Sequence, residues 1–258
     1  MKDIIDQFSL EGRVALVTGA GSGLGKHFAR VLSQAGATVA CVGRRLEPVQ
    51  AVADEIQDKG GKAIALSMDV TDPDSIKEGF SRIQQQCGVV DVLINNAGLS
   101  NPTAFEEMTR EQWTSLVDAN LSGPFYVAQE MAKRLIAAGK PGSIVNIASI
   151  LGHLARPQFI NYGTTKGGVI HMTQYMALDL MHYGIRVNAL APGYFPSEMT
   201  NPFYESEAGK REIAALPVQR LGRHEELNGP LLLLASDAST YMSGSVLTVD
   251  AGHSVKLT

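Results

Sequence analysis

Cysteine is nearly absent: Cys41 and Cys87 are the only two among 258 residues. Cys41 lies within an apolar run and Cys87 near a helix end. Both therefore read as reduced, non-catalytic thiols of a cytoplasmic protein. Long apolar runs are missing as well, with no stretch reaching the ~18 residues of a membrane-spanning helix. The opening Met1-Lys2-Asp3-Ile4-Ile5-Asp6-Gln7 has no apolar signal core, which argues against secretion. A net charge of −4 gives no reason to expect nucleic acid or a membrane surface as partner. The six histidines show no His-x-x-x-His or similar ligand spacing, so no metal is expected. No Pro/Ser tract, internal repeat or charge block divides the chain, and residues 1–258 are read as a single domain.

What is present is glycine (26 residues) and a regular alternation of short apolar runs with amphipathic stretches. Strands are predicted at 14–18, 38–42, 63–68, 90–95, 143–147, 186–191 and 245–249. Helices are predicted at 26–35, 46–59, 73–87, 110–137 and 162–182. Buried strands alternating with helices predict an α/β fold built on a single doubly wound parallel sheet covered on both faces. The proline-containing segment 193–222 shows little periodicity and follows a strand on the ligand-binding side of such sheets, so it reads as a substrate-binding loop.

Two groups of residues carry chemistry. The first strand runs into Thr18-Gly19-Ala20-Gly21-Ser22-Gly23-Leu24-Gly25 and then a helix. Glycines there let the backbone approach a pyrophosphate, and the helix N-terminus supplies N–H donors to it. The strict Gly-x-Gly-x-x-Gly pattern is not met, because Leu24 and Lys26 occupy the third-glycine positions; Thr-Gly-x-x-x-Gly-x-Gly fits instead. Further on, Tyr162 and Lys166 stand four residues apart, on one helical face. A phenol is a weak acid at neutral pH, and an ammonium beside it favours the phenolate. Ser149, thirteen residues before Tyr162 and just past an apolar run, is placed to hydrogen-bond the oxygen that the tyrosine protonates.

Together these residues resemble the short-chain dehydrogenase/reductase family, over nearly the whole chain from Leu10 to Gly252. Asp69-Val70, Asn95-Asn96-Ala97-Gly98, Asn120 and Pro192-Gly193 match further motifs of that family in order. The resemblance implies a Rossmann-type fold and an oxidoreductase interconverting a ketone and a secondary alcohol. It implies Tyr162 as acid/base, Ser149 as the polar stabiliser and Lys166 as contact to the nicotinamide ribose that also lowers the tyrosine pKa. Asn120 would hold a water that extends a proton relay. Cofactor contacts would come from Gly19, Ser22, Gly23, Leu24 and Gly25 in the turn, and from Asp69 and Val70 at the adenine. Asn96, Ala97, Gly98, Tyr162, Lys166, Pro192, Gly193, Phe195 and Ser197 would complete the nicotinamide side.

The nucleotide is read from the end of the second strand, Val42-Gly43-Arg44-Arg45. Gly43 stands where an NAD-preferring enzyme carries an acid, and Arg44 and Arg45 suit a 2′-phosphate. NADP(H) is therefore favoured, with NAD(H) the alternative. Leu151, His153, Leu154, Pro157, Phe159, Tyr194, Phe195, Met199, Phe203 and Tyr204 are the expected pocket walls, an apolar lining suited to a ketone or alcohol of moderate size. A 3-oxoacyl-carrier-protein reductase is the second reading. It is weakened because Tyr183, not a basic residue, precedes Gly184, although Lys133 offers one docking charge. A nucleotide-binding subunit without turnover is the third. The family also implies a homotetramer, with a homodimer the alternative.

Overall fold

The computed structural model describes residues 3–198 and 200–256. Seven strands form one parallel sheet: β1 (Val14–Thr18), β2 (Thr38–Gly43), β3 (Lys62–Ser67), β4 (Val92–Asn95), β5 (Gly142–Ile147), β6 (Ile185–Pro192) and β7 (Val246–Val249). Their order is β3-β2-β1-β4-β5-β6-β7, so the chain reverses its direction of travel between β1 and β4. In such sheets that reversal opens a crevice at the strand C-termini, where ligands bind.

The helices are α1 (Gly23–Gln34), α2 (Leu46–Asp58), α3 (Pro73–Cys87), α4 (Arg110–Val117), α5 (Gly123–Ala138), α6 (Ile160–Leu180), α7 (Asn201–Glu205), α8 (Glu207–Ala215) and α9 (Asn228–Ala235). Strand periodicity sorts the core into two layers. Ala15 and Val17 of β1 pack with Phe28, Leu32, Ile56 and Leu231 on one face. Val14 and Leu16 pack with Phe80, Val127, Met131 and Leu135 on the other. Every residue of β1, β4, β5 and β6 is buried, as a sheet covered on both sides requires. Among the described residues no helix is long and apolar enough to cross a membrane.

Three differences from the sequence reading bear on the site. The helix expected at 110–137 is broken by a π-helical turn, Asp118–Ser122, that carries Asn120. Pro124 has no N–H, so it removes the donor that an unbroken helix would aim at the Asn120 carbonyl. The loop at 193–222 is not irregular throughout; it contains α7 and α8, with Ser206 capping α8 through a hydrogen bond from Gly209 N–H. Finally α9, Asn-Gly-Pro-Leu-Leu-Leu-Leu-Ala, was not anticipated. Its apolar run has no amphipathic rhythm, and Leu231 and Leu234 are completely buried under the sheet.

Candidate active site

The crevice floor is built by the ends of β1 and β4. The Thr18 hydroxyl accepts the N–H groups of Asn96 and Ala97, both at 3.0 Å, and Asn96 Nδ2 donates to the Thr18 carbonyl at 3.0 Å. Gly19 has φ +66°, and a Cβ there would stand 3.0 Å from Ala97 Cα, so glycine is required at this close approach. At Gly25 a Cβ would lie 2.1 Å from the Gly19 carbonyl oxygen, which fixes how closely α1 packs on the turn. Gly25 thus shapes the cradle without lining it.

Two cavities occupy the crevice, of about 560 and 570 Å³, and they meet at Gly19, Ser22, Ala97, Gly98 and Leu99. Gly23, Leu24, Asn96, Pro192, Gly193, Phe195 and Ser197 line the first, with Ser149, Tyr162 and Lys166. Arg44, Arg45, Asp69 and Val70 line the second, beside Gly43. Both arginines are exposed, and among the described residues neither guanidinium has an ion-pair partner. A narrow glycine cradle, an elongated cavity and two uncompensated cations at its far end fit a phosphorylated dinucleotide.

Ser149 follows β5 by two residues and caps a short 3-10 turn, Ile150–Gly152, by accepting the Leu151 N–H at 3.1 Å. That bond uses a lone pair and leaves the hydroxyl proton to donate. Tyr162 and Lys166 lie one turn apart on α6, pressed against the Ser149 turn. At Gly152 a Cβ would come within 2.9 Å of the Lys166 backbone. The Lys166 ammonium donates to the Ile147 carbonyl at 2.7 Å and lies 5.6 Å from the Tyr162 ring centre. Burial lowers the Lys166 pKa to about 8. Burial also raises the Tyr162 pKa, which the neighbouring Ser149 hydroxyl pulls back. In this geometry desolvation outweighs the Ser149 hydrogen bond and favours the protonated phenol.

Asn120 is completely buried and lines neither cavity. Its side chain is committed to the Leu99 backbone and, at 3.4 Å, to Thr165 Oγ1. Of the expected pocket walls, Leu151, Phe159, Tyr194, Phe195, Phe203 and Tyr204 line the first cavity, whereas His153, Leu154 and Pro157 do not. Met199 lies outside the described residues. The lining also contains Arg156 and Gln158, which the sequence reading passed over. The signal was available: Arg156 is the only arginine or lysine between Ser149 and Tyr162. Away from the crevice, Cys41 is buried and its thiol is pushed up to about 12, which keeps it neutral. Among the described residues no group of three or more His, Cys, Asp or Glu is arranged to hold a metal.

Fold and crevice together define a nucleotide-binding α/β oxidoreductase. Comparison with known proteins narrows the class. The short chain dehydrogenase family profile matches residues 13–208. Gluconate 5-dehydrogenase of Gluconobacter oxydans is 40% identical over 253 residues, covering 98% of each chain. The 3-oxoacyl-(acyl-carrier-protein) reductase of Thermotoga maritima is 38% identical over 243 residues, covering 94% of this chain and 98% of the relative. The crystal structure of a gluconate 5-dehydrogenase from Burkholderia cenocepacia, in complex with NADP and tartrate, superposes with a TM-score of 0.94 at 36% identity, covering 99% of this chain and 100% of that one. The chain belongs to the short-chain dehydrogenase/reductase family, and it is an oxidoreductase of CH–OH groups that uses a nicotinamide cofactor.

Proposed function

We propose that this chain interconverts a free ketone and a secondary alcohol with NADP(H), using Tyr162 as acid and base. The observation that carries the reading is that Ser149, Tyr162 and Lys166 face one cavity, which runs into the glycine cradle and on to Arg44 and Arg45. When bound, the cofactor supplies or accepts the hydride. Tyr162 gives its proton to the carbonyl oxygen in reduction and takes one from the alcohol in oxidation. The Ser149 hydroxyl donates to the same oxygen and fixes its position. Lys166 spends one N–H on Ile147 and keeps two for the ribose and the relay. Arg44 and Arg45 recognise the 2′-phosphate, with Gly43 in place of a repelling acid.

Segment 193–222, with α7 and α8, serves as the substrate loop. The NADP-bound relative supports the cofactor assignment, and the Gluconobacter relative supports a free hydroxylated substrate. The carrier-protein reaction is the second reading, favoured by the Thermotoga relative. Against it, the half-exposed Tyr183 stands at the end of α6 where that reaction needs a docking charge. A subunit without turnover ranks third, because Ser149, Tyr162 and Lys166 are all retained at the cavity and Asn120 keeps its place in the chain. Exposed Tyr175 and Leu178 on α6, with Phe125 and Tyr126 on α5, suit the contacts of a homotetramer. Loss of NADPH absorbance with a panel of free ketones beside an acetoacetyl thioester tests the assignment. Free ketones should be reduced faster than the thioester, and NADPH should outperform NADH. A thioester accelerated further by a carrier protein would overturn the choice of substrate.

A further inference from the structure

Resting on the free-ketone reading above, we infer that Arg156 takes the carboxylate of an oxo- or hydroxy-acid substrate and that Glu212 sets how strongly it does so. Among the described residues lining the catalytic cavity, Arg156 and Lys166 are the two cations. Lys166 is held against the Ile147 carbonyl beside Tyr162, which leaves Arg156 as the cation on the substrate side. Its guanidinium lies 4.8 Å from the Phe159 ring centre, 5.7 Å from Phe203 and 5.8 Å from Tyr194. Three rings shield it in part, leaving the side chain 26% exposed, and an ionic hydrogen bond strengthens as water is excluded.

The donor inventory of Arg156 is what points to an anion. Nη1 and Nη2 donate to the two carboxylate oxygens of Glu212 at 2.7 and 2.8 Å, and Nη1 also donates to the Tyr194 hydroxyl at 3.1 Å. Three of the five N–H groups are thereby used. The other two, Nε–H and the second Nη2–H, have no partner among the described residues and lie parallel, as the second fork of the guanidinium. A planar pair of donors of this kind matches a carboxylate. Glu212, on α8, is not among the residues lining the cavity, so it backs the guanidinium. Its charge partly cancels that of Arg156 and tempers the pull on an incoming acid. Phe159 packs near both Arg156 and the catalytic acid, its ring centre 4.8 Å from the guanidinium and 6.4 Å from the Tyr162 ring centre. A carboxylate held by Arg156 is therefore carried several bonds from the carbon that faces Tyr162.

The test uses the full chain with NADPH and pairs of ketones that differ in the carboxylate: 5-keto-D-gluconate against L-sorbose, and levulinate against methyl levulinate. The wild type should favour the acid in each pair. Arg156→Gln should lower the acid-to-neutral ratio of kcat/KM about 10- to 100-fold, the loss of a charge-assisted hydrogen bond. Glu212→Gln should raise that ratio several-fold, an effect opposite in sign, which keeps the test decisive if Arg156→Gln fails to fold. A ratio unmoved or lowered by Glu212→Gln, or equal losses on both members of a pair in Arg156→Gln, would overturn the inference and leave the ion pair a structural tie. If the wild type reduces no member of any pair, the free-ketone reading itself fails. Calorimetric titration of tartrate into the NADP-loaded protein then still decides the role of Arg156: binding weakened by Arg156→Gln and tightened by Glu212→Gln supports it, and binding unchanged in both overturns it.

Discussion

Asn120 and Leu99 exchange two hydrogen bonds: the Leu99 N–H donates to Asn120 Oδ1 at 2.7 Å, and Asn120 Nδ2 donates to the Leu99 carbonyl at 2.8 Å. The asparagine side chain thus pins the segment that follows Gly98, where the two cavities meet. Its two N–H donors are both spent, and the one Oδ1 lone pair left over faces neither cavity. Any such role falls to the Asn120 backbone carbonyl, from which Pro124 has withdrawn the helical donor. Asn120→Ala should therefore cost about 1–3 kcal/mol, because the buried pairing is lost. Chemical denaturation measures this; unchanged stability would show that the pairing does not hold the segment.

On the proposed assignment, cofactor choice rests on Arg44. Arg44→Ala should raise the KM for NADPH about 10- to 100-fold, the loss of one charge-assisted contact to phosphate. The KM for NADH, which has no 2′-phosphate, should move little. Initial rates with both cofactors measure the difference, and equal changes for the two would remove Arg44 from the phosphate site.

The pH dependence follows from burial. The Tyr162 pKa is raised, so the phenol is protonated at neutral pH and, on the proposed mechanism, ready to act as acid in reduction. Oxidation needs the phenolate, whose fraction grows as pH climbs toward that raised pKa. Alcohol oxidation should consequently accelerate several-fold per pH unit between pH 7 and 9, while ketone reduction stays nearly flat there. Rate profiles in both directions check this. An oxidation rate already level by pH 7 would mean that the phenol ionises more readily than burial allows.

Two glycine substitutions should differ sharply in cost. Gly25→Ala forces a Cβ to 2.1 Å from the Gly19 carbonyl oxygen, a backbone atom with little freedom to yield. A loss of about 3 kcal/mol or more is expected, with weakened NADPH binding. Gly229→Ala, exposed in the first turn of α9, meets nothing within 4 Å beyond its chain neighbours, but Pro230 follows it and opposes a helical side chain there, so the helix-propensity gain is offset and stability should move by less than about 1 kcal/mol. Thermal melting and fluorescence titration with NADPH measure both. A stable Gly25→Ala that binds NADPH normally would contradict the close packing of α1 on the turn.

These contrasts mirror what could be read from the sequence. The ends of α3 were legible to the residue, since Asp72 caps it, Pro73 opens it and Gly88 stops it. The glycine cradle was legible because φ +66° at Gly19 and the crowding at Gly25 allow no other residue. The break between α4 and α5 was not anticipated, although Pro124 announced it, because the apolar periodicity runs on through the π turn. Arg156 was missed for a different reason. Its role depends on Glu212, 56 residues further on, and on rings from three separate segments, which only the folded chain assembles. Local geometry is written in short windows of sequence, and a substrate wall is not.

The central claim is that Tyr162 is the proton donor and acceptor of an NADP(H)-dependent carbonyl–alcohol interconversion. Tyr162→Phe removes one oxygen and leaves the ring that packs at 6.4 Å from Phe159. Ketone reduction by this variant, measured beside its NADPH affinity by fluorescence, tests the claim most directly. Turnover should fall by a factor of about 10² to 10⁴ with the NADPH dissociation constant nearly unchanged. Turnover within a few-fold of the parent protein would contradict it.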